Sequence, residues 1–161
     1  MPEQTDTIAA MQAFCTFRAD QRLFGIDVAC LREISTNTNI TPVPPAPPAV
    51  RGLANLRSRV HLVLDLRPLL GLPPANCTAD SRLIILKPFV AEDVGLLVDQ
   101  GGDILRVPSE QIESLDSTAS ARESSETPAA GFVVGVAKLD RELMMIIDAK
   151  RLVDSISNAI R

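Results

Sequence analysis

His61 is the one histidine of this chain and the side chain best placed for acid–base chemistry near neutral pH, because imidazole alone titrates there unperturbed. A single histidine cannot build a multi-histidine metal site, and any Ser-His-Asp triad would have to use it. It alternates in phase with Arg59, Val63 and Asp65, opposite the apolar set Val60, Leu62, Leu64 and Leu66. That phase predicts an ordinary surface histidine on the less apolar face of a strand. Asp99 and Asp103 flank Gly101-Gly102 without the repeated acids of a calcium loop, so they read as a solvated strand–turn–strand. Cys15, Cys30 and Cys77 are odd in number, with no C-x-x-C, and read as reduced core residues rather than a disulfide framework or zinc knuckle. A phosphate loop, a G-x-G-x-x-G after a strand, a G-x-S-x-G elbow and an H-E-x-x-H helix are all missing. The reading is a non-enzyme with no catalytic residue, no metal and no cofactor.

The densest remaining chemistry is Arg51 to Arg67, where four arginines and one acid interleave with a strong strand signal. Arg57 and Arg59 fall near a turn, from which long side chains can project toward a partner or reach an internal carboxylate; a solvated face accounts for the composition as well. Thirteen of the sixteen bases are Arg, the side chain that forks onto carboxylates and is enriched at protein interfaces. The net charge is -4, with nine bases against seven acids in residues 1–87 and seven against thirteen in residues 88–161. Such a chain gains nothing from counterion release on a polyanion, and five Phe with no Trp or Tyr make poor stacking platforms. The chemistry points to a protein partner and to no nucleic acid.

The elements that must position these residues are short. Apolar runs bounded by turn residues predict a mainly β chain with strands at Ala13 to Arg18, Arg22 to Ile26, Val50 to Leu56, Arg59 to Leu64, Arg82 to Lys87, Val94 to Val98, Asp103 to Val107, Phe132 to Leu139 and Glu142 to Ile147. Three strands end in Asp before a helical pattern: Asp27 before Val28 to Ile34, Asp65 before Leu66 to Leu70, and Asp148 before Ala149 to Ile160. Asp is a favoured N-cap, since its carboxylate accepts the first free N–H groups, and these three read as caps. The last helix carries an amphipathic stripe of Ala149, Leu152, Val153, Ile156 and Ile160. Pro42 to Pro48 reads as a stiff extended connection and Asp116 to Ala130 as a surface loop.

With 161 residues, the chain suits one domain or two small subdomains sharing a core, burying roughly 70% of its unfolded surface. The expected organisation is a flexible N-terminus over 1–12, the body over 13–155 and a helix end over 156–161. A polar, acidic start and the lack of an apolar run near membrane-spanning length predict a cytoplasmic protein without direct membrane insertion, recruited to membranes through partners.

In order and spacing, several blocks resemble the CheW-type coupling proteins of bacterial chemosensory arrays, from about Phe14 to Val153. They are Phe24-Gly25-Ile26-Asp27 with Leu31-Arg32-Glu33-Ile34, Ile40-Thr41-Pro42-Val43-Pro44, Gly52-Leu53-Ala54-Asn55-Leu56-Arg57, Leu64-Asp65-Leu66-Arg67, Gly95-Leu96-Leu97-Val98-Asp99 and Gly135-Val136-Ala137-Lys138-Leu139. The resemblance implies two intertwined five-stranded SH3-like β-barrels with short helices, a C-terminal helix and a hydrophobic core between the barrels. It implies an adaptor bridging the cytoplasmic tip of a methyl-accepting chemoreceptor and the regulatory domain of a CheA-type histidine kinase. By position, Glu33 and Arg57 match the family's functionally important acid and base. A helix-end carboxylate and a turn arginine could there form a bidentate contact. Ile40, Val43 and Pro44 fall where the family's kinase-facing edge of the first barrel lies, and Leu31, Ile34, Gly95 and Val136 near its receptor-facing groove.

Two positions depart from the family's pattern. Ser58 stands where Gly is usual, which predicts an altered turn. Leu62 stands where Pro is usual, which restores a donor N–H to the strand. These departures open the alternative of a specialised coupler in a surface-sensing or motility pathway. The alternative of another class is a small ligand-binding or hydrolytic barrel built on His61.

Overall fold

The computed structural model describes residues 11–115 and 131–160, with side chains to Ile156. Most of the expected N-terminal segment and the loop over 116–130 lie outside the described residues, although Met11 and Gln12 already belong to a strand. The elements are β1 (Met11–Ala19), β2 (Arg22–Asp27), β3 (Leu31–Ser35), β4 (Val50–Leu56), β5 (Arg59–Asp65), α1 (Leu66–Leu69), β6 (Arg82–Leu86), β7 (Val94–Val98), β8 (Gln100–Pro108), β9 (Ile112–Ser114), β10 (Val133–Lys138), β11 (Leu143–Ile147) and α2 (Ala149–Ile160). A six-stranded sheet runs β8-β1-β2-β11-β10-β9 and a five-stranded sheet runs β3-β6-β7-β5-β4. The second sheet is thus inserted between β2 and β8 of the first. Each sheet contains one parallel pair, β2 with β11 and β5 with β7, and the remaining neighbours are antiparallel.

Three apolar clusters explain why these segments are strands at all. One fills the interior of the inserted sheet (Ala54, Leu56, Val63, Leu83, Ile85, Leu97) and one the interior of the first sheet (Phe14, Val107, Ala137, Met144, Ile146). The largest lies in the seam between the sheets, where Phe17, Phe24, Ile26, Leu64, Ile84 and Leu96 meet Leu152 and Ile156 of α2. Successive residues of β6 alternate between clusters, Leu83 and Ile85 inward, Ile84 and Leu86 to the seam. A strand buried on both faces reads as a continuous apolar run rather than an alternating one, as Leu83-Ile84-Ile85-Leu86 does.

All three aspartates cap as expected. Asp27 accepts from the Ala29 N–H at 2.9 Å, Asp65 from Arg67 at 3.0 Å and Asp148 from Arg151 at 3.1 Å. The helix expected over Val28 to Ile34 stops after a single 3-10 turn, Val28–Cys30, and Leu31–Ser35 is strand β3, paired with β6. Leu31 and Ile34 fit helical spacing, but the ladder offered by the β6 edge wins over a short helix with no partner of its own. Gly101-Gly102 is likewise no turn. Both glycines lie in β8, Gly101 paired with Phe17, and the chain passes from β7 to β8 through Asp99 alone.

Asp99 ties the sheets together at this crossing. Its carboxylate accepts from the Arg67 guanidinium and from the Asp20 N–H at 3.1 Å, and Arg67 Nε donates to the Pro73 carbonyl at 2.6 Å. Arg51 bonds Asp65 at 2.8 Å and the Ala75 carbonyl at 3.2 Å, so two arginines, one from β4 and one from α1, hold the segment that follows α1. Arg67→Ala strands a partly buried carboxylate and frees a carbonyl, and a loss of about 2 kcal/mol is expected. Urea unfolding followed by far-ultraviolet circular dichroism checks it, since the chain has no Trp or Tyr to report by fluorescence.

Candidate functional site

β5 and β7 run parallel, β6 runs against β7, and β3 runs against β6, so three features share one end of the inserted barrel. They are the start of β3, the two-residue hairpin Arg57-Ser58 and the loop from β6 to β7. Arg57 and Ser58 have φ of 52° and 66°. Positive φ at both central residues gives the twist that a two-residue hairpin needs, and Asn-Gly is its usual sequence. Ser58 therefore occupies, at some cost, the conformation that glycine adopts freely. Leu62 uses the N–H that proline would lack, donating to the Asp93 carbonyl at 2.8 Å.

At this end Glu33 and Arg57 meet across the mouth of the barrel, Arg57 Nε lying 3.5 Å from Glu33 Oε2. β3 and β4 stand at opposite ends of the strand order, so this contact requires the sheet to curl on itself. The pair differs in two respects from the expected one. Glu33 projects from a strand instead of a helix end, and the contact is single rather than bidentate, with Arg57 80% exposed. The bidentate pair belongs to the neighbouring arginine: Arg59 Nε and Nη2 donate to the two carboxylate oxygens of Asp93, each at 3.0 Å. Arg59 thus reaches a carboxylate, but Asp93 is brought in by the parallel β5–β7 register, which no local pattern encodes. The hydrogen bond from Arg59 holds the Asp93 carboxyl below the usual carboxylate range.

His61 is buried, at 4% exposure, on the same face of β5 as Val63, and the surface position expected for it is incorrect. Both faces of β5 are covered, one by the barrel interior and one by the seam, so the less apolar face is still an inside face. Val60, expected inward, is 57% exposed. His61 Nδ1 lies 3.2 Å from the Arg59 carbonyl and Nε2 4.0 Å from Asp93. The cavity beside it, bordered by Arg32, Glu33, Leu56 and Ile85, holds about 20 Å³, room for one water and not for a substrate.

The other residues singled out in the sequence divide between two places. Thr41 exchanges two 2.8 Å backbone bonds with Leu53, laying the segment around Ile40 along the outer edge of β4. Ile40 packs on the interior cluster while Val43 and Pro44 are exposed, so this edge belongs to the inserted barrel and not to the first. Leu31 and Ile34 pack on the seam core. Val136 pairs with Met145, which also packs there. Gly95 does not join them: a Cβ on it would point at Ile85 and Leu83, inside the inserted barrel.

A pair of curled β-sheets, one inserted into the other, with a charged rim at one end, defines a protein of the SH3-like β-barrel class. The chain belongs to the CheW-like domain family, whose model matches residues 13–157, and is a chemotaxis coupling adaptor. It is 32% identical over 136 residues to a probable chemotaxis protein CheW of Rhizobium etli, covering 84% of this chain and 83% of the relative. It is 29% identical over 154 residues to the chemotaxis protein CheW of Bacillus subtilis, covering 96% and 94%. The crystal structure of the scaffolding protein TtCheW from Thermoanaerobacter tengcongensis superposes with a TM-score of 0.72 at 26% identity, covering 85% of this chain and 88% of that one.

Ser58→Gly relieves the left-handed strain and is expected to raise stability by about 1 kcal/mol in urea titration. Asp93 has a folded pKa below its unfolded value, so the stability it contributes is present above the unfolded value and lost as pH falls through the folded one. Arg59→Ala is expected to move the Asp93 titration midpoint upward toward the ordinary range, read from its carboxyl carbon by NMR.

Proposed function

We propose that the chain couples the cytoplasmic tip of a methyl-accepting chemoreceptor to the regulatory domain of a CheA-type histidine kinase. It works in the cytoplasm and reaches membrane-associated receptor arrays through those partners. Among the described residues no helix is long and apolar enough to cross a membrane, in keeping with recruitment by others. The observation that carries the reading is the meeting of Glu33 and Arg57 across the mouth of the inserted barrel, with Val43 and Pro44 exposed farther along the β4 edge, toward Arg51.

The kinase regulatory domain docks on this end and edge. Arg57, loosely held by Glu33, is free to exchange that contact for a carboxylate of the partner, while Val43 and Pro44 supply apolar area. Exposed ion pairs contribute little by themselves, so trading one for another costs little and sets specificity. The receptor tip occupies the seam side, with Leu31, Ile34 and Val136 at its border. The work is conformational and needs no reaction: several modest interfaces, added through the multivalency of an array, let a receptor state bias the kinase.

Biolayer interferometry against the regulatory domain of each CheA-type kinase of the same genome tests the reading. Saturable one-to-one binding to one of them is expected. Arg57→Glu should weaken it at least about tenfold with an unchanged thermal melt, because the side chain is largely exposed. Unchanged affinity for both partners would remove Arg57 from the binding face.

A further inference from the structure

We propose that Phe89, on the loop joining β6 to β7, is a second anchor of the kinase-binding face, its ring entering an apolar pocket of the kinase regulatory domain. The proposal rests on the coupling function set out above and extends it to a residue outside the recognised blocks. Phe14, Phe17, Phe24 and Phe132 are fully buried, and the rings of Phe17 and Phe24 stack with centroids 5.6 Å apart. Phe89 is 66% exposed in a chain that has no Trp or Tyr. Large aromatic side chains held in water are the usual anchors of interfaces, because they bury much area at a small cost in side-chain freedom.

The loop is built to hold the ring out. Lys87 N–H donates to the Cys30 carbonyl at 2.9 Å, and Val90 and Ala91 N–H groups donate to the Lys87 carbonyl at 2.9 and 3.1 Å. Val90, the next residue, is buried in the seam core. At the far end Asp93 is clamped twice, by Arg59 through its carboxylate and by Leu62 through its carbonyl. Fixed on both sides, the loop presents Phe89 preorganised for a partner, which lowers the ordering cost of binding.

Its position joins it to the Glu33–Arg57 rim. Strand directions put the β6–β7 loop, the Arg57-Ser58 hairpin and the start of β3 at one end of the barrel, and exposed Val60 lies at the beginning of the strand beside the loop. Glu33 with Arg57 and Asp93 with Arg59 pair off at this end, and Lys87 shares the start of β3 with Asp27 and Asp148, which act with it on Cys30.

The test measures affinity of the full chain for the kinase regulatory domain with the native sequence, Phe89→Ser, Phe89→Leu and Arg57→Glu. Phe89→Ser is expected to weaken binding about thirtyfold and Phe89→Leu no more than about fivefold, with urea midpoints of both unchanged. Native-like binding by Phe89→Ser while Arg57→Glu loses it would overturn this proposal and leave the coupling function standing. A native chain that binds no kinase domain would overturn both. An early-unfolding Phe89→Ser chain would assign the ring to stability and overturn this proposal alone.

Discussion

The structure depends on one constraint: a single apolar layer must satisfy two sheets at once. β1, β2 and β11 present one face to the seam, as do β5, β6 and β7 from the other side, and α2 covers its margin with Ala149, Leu152 and Ile156. Each sheet also needs its own interior, so the central strands carry apolar residues at consecutive positions. Removing either sheet would expose the seam side of the other, a patch too large for a stable free surface. The barrels are therefore one folding unit despite their separate interiors.

Polar groups are placed where this apolar scheme leaves openings. At the crossing between sheets, Asp99 joins Arg67 of the inserted barrel to the Asp20 hairpin of the first. At the mouth of the inserted barrel, the Arg59–Asp93 clamp closes the end over His61, and the weaker Glu33–Arg57 contact remains at the surface. Geometry thus separates two arginines only two residues apart: one is held by two short bonds and serves the fold, and the other is loosely held and available.

Much of this is legible in the chain. Apolar runs located nine of the strands, and the Asp caps located both helices. The blocks around Glu33 and Arg57 placed the two residues that meet. What escaped was set by long-range pairing. β3 looks helical locally and becomes a strand because β6 offers it a ladder; β9 spans only Ile112–Ser114 and depends on β10. His61 is buried against its pattern because alternation assigns faces but cannot say whether both are covered. Asp93 carries no local mark at all, since the parallel register of β5 and β7 brings it to Arg59.

The insertion of one barrel into the other also bears on the order in which the molecule is made. Every strand of the inserted sheet lies between Leu31 and Val98, so all its pairings close within one contiguous stretch. The first sheet, by contrast, joins β1 and β2 to partners that begin only at Gln100. Pairings between distant segments pay a larger closure entropy and form later. β1 and β2, which carry Phe17 and Phe24, thus reach their remaining partners only beyond the whole inserted sheet, and the seam face of that sheet is the surface on which they pack. The inserted barrel is thereby local in sequence, and the one that encloses it is not.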